Sequence, residues 1–194
     1  MSYRQTAEII GRTKRHEVEH LKIKFNIKTA WIASGGLTVL SQLFLILILN
    51  KVAPAQDLIL HQTTLSPTRF KSIMDSWGPS GIELFLQHYW LDFFHPFFYS
   101  IFLFCCLVKT IPHSLSKNSR IFLLALPLIA GLSDEIENLC QLSITLGWIP
   151  ADSFPFYLGA ICARLKWFLT ILVSEVVLYY AVKKMIFRKS SENK

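Results

Sequence analysis

Gly131-Leu132-Ser133-Asp134-Glu135-Ile136-Glu137-Asn138 places three carboxylates and an amide in the middle of an otherwise apolar segment running from Ile121 to about Leu146. At about 1.5 Å of rise per residue, a helix of that length crosses a bilayer. An unpaired charge in hydrocarbon costs from about 3 to more than 10 kcal/mol, so the segment predicts compensating groups on neighbouring helices. Two flanking apolar segments supply them: His88, Asp92 and His95 before it, Arg164 and Lys166 after it.

Composition agrees with a membrane setting. Of 194 residues, 52% are apolar and 17% charged, which is too apolar for an ordinary soluble domain and predicts one membrane domain. The net charge of +7 comes mainly from the two ends and one short loop beside apolar segments. That distribution reads as topology and contact with anionic lipid, not as a nucleic-acid footprint. Cys105, Cys106, Cys140 and Cys162 lie inside apolar segments without a C-x-x-C pair and are expected to pack as small apolar side chains.

The fold expected is all-α: a polytopic four-helix transmembrane bundle with an amphipathic helix in the first external loop. Residues 1–28 form a basic cytoplasmic segment, the transmembrane domain covers 29–182 with spans near 29–49, 81–108, 121–146 and 154–182, and 183–194 form a basic tail. Ala30, Ser34 and Thr38 recur every four residues on the first span, and Gly159, Ala163, Lys166, Thr170 and Ser174 share a face of the fourth. Such small-residue faces admit close helix neighbours, including those of a second copy. In the loop, Ser66 is read as N-cap and Pro67 as first helical residue, with Phe70, Ile73, Met74 and Trp77 on one face and Gly78 as the end. A capping box, Ser80-x-x-Glu83, is expected to open the second span near Gly81. Within that span Pro96 cannot donate to the Asp92 carbonyl, which predicts a kink and a free acceptor beside an acid. Lys and Arg number seven before the first span, three in each of the next two loops, none in the last loop and five after the fourth span. The positive-inside rule therefore places both termini in the cytoplasm.

Helical rise puts Asp92, His95, Asp134, Glu137, Asn138, Arg164 and Lys166 in one slab, roughly 10 to 18 Å below the outer boundary. His88, Asp92, His95 and Tyr99 share one helix face; Pro127, Gly131, Asp134, Asn138, Gln141 and Thr145 share another. Arg164 lies about 200° around its helix from Lys166, so the two point apart. Asp92, Asp134, Glu135 and Glu137 against Arg164 and Lys166 leave two negative charges. The slab therefore has to hold protons, a charged histidine or a cation. A protonated acid beside an ionised one suits general acid–base catalysis and equally a proton relay, whereas a hydrogen-bonded structural network would use the same residues.

The catalytic candidates are Asp92, Asp134, Glu137, Asn138 and Lys166. Asp134 and Glu137 would share a proton, Asn138 would orient a substrate head, Asp92 would act from the facing helix and Lys166 would stabilise negative charge. His88, Asp92 and His95 could also offer metal ligands from one face; no cofactor is expected. Glu135 is expected to pair with Arg164 or another helix, and Trp90, Trp148 and Trp167 to meet lipid. Glu175 has no account.

The ordered set Gly78-Pro79-Ser80-Gly81, Asp92 with Pro96 and Tyr99, Ala130-Gly131-Leu132-Ser133-Asp134 with Glu137-Asn138, and Leu165-Lys166-Trp167 resembles a family of small, uncharacterised bacterial four-helix integral membrane proteins. The resemblance covers about residues 78–167. It implies the same fold and a bacterial inner membrane but no reaction. In that pattern an apolar aromatic stands at the position of His95, which shifts weight from metal ligation to the acids, Asn138 and Lys166; Arg164 is a second departure. The function expected is a membrane-embedded enzyme using acid–base chemistry on a lipid-like substrate. A non-catalytic structural protein and a proton-coupled channel or carrier subunit are the alternatives. Membrane lipids and an amphiphilic small molecule are the expected partners.

Overall fold

The structure, a computed structural model, describes residues 26–192, so most of the basic segment at 1–28 lies outside the described residues. Six helices follow in order: α1 (Ile27–Leu49), α2 (Ala55–Thr63), α3 (Pro67–Asp92), α4 (His95–Thr110), α5 (Lys117–Thr145) and α6 (Phe154–Glu192). α1 is long and apolar enough to cross a membrane, and α3 with α4 meets the same description as a pair bent by 43°. α5 does not, because its middle carries Asp134, Glu135 and Glu137.

The Asn26 side chain caps α1 by accepting from Lys28 N at 3.0 Å and Thr29 N at 3.3 Å, so the helix starts slightly before the expected residue 29. α1 lies along α4. Its small residues permit this: a Cβ on Gly35 would sit 2.8 Å from the Phe102 ring, and Trp31 Nε1 donates to Cys106 Sγ at 3.1 Å. The small face of α6 meets α5 in the same way, with Gly159 against Cys140 Cβ at 3.0 Å from where its own Cβ would lie. Both faces are thus filled within the chain over most of their length.

The loop after α1 differs from expectation. It holds two helical pieces, because α2 precedes the amphipathic helix that the Phe70 pattern predicts. α2 opens after Pro54, with Asp57 in its first turn, an acid where the helix N-terminus favours one. Ser66 caps α3 through Arg69 N at 3.3 Å, and Gly78 breaks the helix with φ 65° and ψ 178°. The helix resumes with Pro79 at its first position, where a missing N–H costs nothing. Among the described residues no hydrogen bond joins Ser80 to Glu83, so Gly78 and Pro79 do the work expected of a capping box. The Phe70 face packs on Ile144 and Phe156 beside the α5–α6 turn, so this helix roofs the bundle.

Pro96 produces a break, not a simple kink: α3 ends at Asp92 and α4 restarts at His95. α5 begins at Lys117, capped by Ser116, earlier than residue 121. α6 continues to Glu192, so the tail after 182 is helical through 192. All four cysteines are free thiols, buried or half-buried.

Away from the roof, Tyr99, Leu103, Leu107, Leu126, Ala130, Leu169 and Val173 form an apolar plug between α4, α5 and α6. The outside is apolar too: Leu132, Leu139, Ile161, Phe168 and Ile171 are exposed, while Asp134, Glu137, Asn138, Gln141 and Lys166 are buried. Close approach of α4 to α5 depends on Gly131, where a Cβ would collide with Ser100 Oγ and lie 3.2 Å from the Pro96 carbonyl oxygen. Gly131→Ala should therefore lower stability by about 1 to 3 kcal/mol, measured by thermal unfolding in detergent. Ser100→Ala in the same chain should return part of the loss.

Candidate functional site

Lys166 joins α6 to α5. Its Nζ lies 2.6 Å from Asp134 Oδ1 and 2.7 Å from Glu137 Oε2. The two acids are at i and i+3 on α5, one helix face, and the Gly159–Cys140 approach brings α6 near enough for the ammonium to sit between them. Tyr99 on α4 donates to Asp134 Oδ2 at 3.1 Å, and Gln141, one turn on from Glu137, donates to Glu137 Oε1 at 2.9 Å. Each carboxylate oxygen of the pair thus has a donor or an ammonium beside it, which is the condition for keeping buried charge.

Asp92 is arranged differently. Its carbonyl, released by Pro96, accepts from Asn138 Nδ2 at 3.3 Å, so the free acceptor expected beside the kink is taken by α5. Its carboxylate, on a residue only 8% exposed, has His88 Nε2 as its closest partner at 3.6 Å, beyond hydrogen-bond length. His88 Nδ1 is engaged by the Phe85 carbonyl. The His95 ring instead contacts Ser41 of α1, Nδ1 to Oγ, at 2.7 Å. The Ser41 hydroxyl also donates to the Leu37 carbonyl at 2.7 Å, so His95 Nδ1–H is the donor in this contact.

The break between α3 and α4 therefore separates the ligand set that one continuous helix would present. Among the described residues no group of three His, Cys, Asp or Glu side chains has metal-binding geometry. Arg164 does not meet Glu135: its Nε donates to the Thr63 carbonyl at 3.0 Å, the C-terminal end of α2, where a cation is favoured. Glu135 is half-buried with Oε1 unpartnered among the described residues. Trp90 and Trp148 are exposed, at 84% and 73%, and Trp167 is exposed at 44%.

A cavity of about 320 Å³ opens onto this centre. Asp92, His95, Tyr99, Asp134 and Lys166 line its polar end, and Leu45 and Trp167 its apolar walls. Thr38, Gln42, Leu45 and Leu49 of α1 line it, as do Lys166, Trp167 and Thr170 of α6. Glu137 and Asn138 do not line it. They lie behind, Glu137 holding Lys166 and Asn138 holding the broken backbone. No family model, curated protein or solved structure matches the chain.

Of the sequence candidates, Asp92, Asp134 and Lys166 thus meet at the cavity, while Glu137 and Asn138 support them. Tyr99 and Gln141 complete the cluster and were not among the candidates. Both carried a signal: Tyr99 is seven residues from Asp92 on one face, and Gln141 is four from Glu137, the spacing at which helix side chains meet.

The roof has its own buried titratable group. His61 is 1% exposed and stacks on Phe70 with ring centroids 4.2 Å apart and near Trp77 at 4.8 Å; neither ring nitrogen has a partner among the described residues. Burial, with His88 facing it from α3, pushes its pKa down to about 3. The folded state therefore keeps His61 neutral while the unfolded chain takes up a proton near pH 6.5. Roof stability is full above pH 6.5 and falls by about 1.4 kcal/mol for each pH unit below it, down to about pH 3. Protection factors over 55–77, corrected for the intrinsic pH dependence of amide exchange, should fall on acidification from pH 7 to 5, and His61→Leu should flatten that dependence.

Proposed function

We propose that this chain is an integral membrane enzyme whose buried centre performs acid–base chemistry on an amphiphile that reaches it from the side, between α1 and α6. In this reading α1, the broken pair α3–α4, α5 and α6 are four spans, with both termini cytoplasmic and α2 with the first half of α3 on the outer side. Support for spanning comes from the inverted pattern: exposed apolar side chains surround buried polar ones, the arrangement a lipid solvent favours. Reporter fusions after Lys117 and after Trp148 should report opposite sides, cytoplasmic and external; a cytoplasmic signal from the second contradicts the topology.

The observation that carries the function is the cavity, in which Asp92, Asp134, Tyr99 and the Lys166 ammonium converge at the end of an apolar passage. Asp92 is the catalytic acid or base, since its carboxylate is the one not occupied by neighbours. Lys166 stabilises negative charge on the substrate, using the proton that faces neither Asp134 nor Glu137. Asp134 and Tyr99 complete the cavity wall; Glu137 and Asn138 position. The apolar plug beneath argues against a continuous proton or solute path. The structural reading draws on the mutual satisfaction of Asp134, Glu137 and Lys166, and the two part on activity. Lipid extract from a strain lacking the gene, incubated with purified protein in nanodiscs, should yield a product of new mass or retention time with wild type and none with Asp92→Asn. No product from wild type leaves the structural reading.

A further inference from the structure

The polar end of the cavity has an excess of acid. Asp92 and Asp134 line it with Glu137 immediately behind, and the cation among them, Lys166, is shared by Asp134 and Glu137. Counting those four side chains alone, three carboxylates against one ammonium leave two negative charges. Arg164, the other cation of α6's middle, is turned away to the Thr63 carbonyl. Asp92 is the second observation. It is a carboxylate on a residue 8% exposed, lining the cavity, whose oxygens accept no hydrogen bond among the described residues, with His88 Nε2 at 3.6 Å. A buried carboxylate in that state is a binding group awaiting a donor, and a cation satisfies it best.

Resting on the proposed reading that an amphiphile occupies this cavity, we infer that the site takes a head group that is cationic and donates hydrogen bonds, a long-chain amine, and rejects a phosphate head. The ammonium sits against Asp92. Gln42 on α1 and Gln62 on α2 line the same cavity, and their amide oxygens offer it further acceptors. A phosphate in the same place would meet three carboxylates with one already neutralised ammonium. Its repulsion in this low-dielectric setting exceeds what a single remaining N–H of Lys166 returns.

The test uses the full-length protein in nanodiscs of zwitterionic lipid and three probes of equal chain length: hexadecylamine, hexadecanol and hexadecyl phosphate. Saturable binding is measured by native mass spectrometry at neutral pH. The amine should bind about tenfold tighter than the alcohol, the phosphate should show no saturable binding, and Asp92→Asn should erase the preference for the amine. The chain's net charge of +7 would draw the phosphate to its surface, so a preference for the amine reports the cavity and not the exterior. Equal binding of amine and alcohol, tighter binding of the phosphate, or a preference that survives Asp92→Asn overturns the inference while leaving an amphiphile site in place. Absence of saturable binding by all three overturns the amphiphile reading itself.

Discussion

Lys166→Met lowers the unfolding free energy by about 3 to 5 kcal/mol, the largest stability effect expected of any single substitution in the chain. The replacement has nearly the same length and removes one charge. What remains is Asp134 and Glu137 on one helix face, both buried, each having lost the ammonium that stood 2.6 to 2.7 Å away. Tyr99 and Gln141 still donate, one to each acid, but neither brings charge. The loss is a property of the stranded acids and not of the missing lysine. Adding Asp134→Asn and Glu137→Gln to Lys166→Met should therefore recover most of it, since a neutral cluster of the same shape has nothing to desolvate. Thermal unfolding in detergent of the single and triple variants checks this; a triple variant as unstable as the single would mean that Lys166 contributes packing alone.

Asp92→Asn behaves in the opposite way: turnover falls by about 10² to 10⁴ while stability changes little. The asymmetry follows from partners. Asp92 holds no hydrogen bond through its carboxylate, and its carbonyl, which Asn138 does hold, is untouched by the change. Removing a charge that has no close counter-ion relieves desolvation, and functional groups commonly carry such a cost. Measuring product formation beside melting temperature separates this outcome from misfolding. If Asp92→Asn melts as early as Lys166→Met, Asp92 belongs to the structural cluster.

Sequence periodicity was enough to bring Asp92, Asp134, Glu137, Asn138 and Lys166 together, because helical geometry converts spacing into direction and a buried charge demands a partner. It also read the Ser66 cap and the Gly78 stop correctly, both local backbone effects. It was weaker where the outcome depended on two segments at once. Pro96 announces trouble for the helix, but whether the chain bends or breaks there depends on Asn138 holding the freed Asp92 carbonyl, and that residue comes from α5. The separate roles of Glu137 and Asp134 were likewise hidden, since which acid faces the cavity depends on how α1 and α4, from elsewhere in the chain, build its other walls. α2 was missed because nine residues bury little of their own surface, with Leu58 and His61 as the buried positions, and its seat is supplied by Phe70 and Phe85 from elsewhere in the chain. Arg164 was misjudged for the same reason: its partner is the end of that unforeseen helix.

Comparative mass spectrometry of the lipids of a strain lacking the gene, complemented with wild type, Asp134→Asn or Lys166→Met, tests most directly whether the buried centre does chemistry. The account predicts that one amphiphilic species accumulates on deletion, that wild type clears it, and that neither variant does. A lipid and isoprenoid profile that is unaltered by deletion across growth conditions would contradict it.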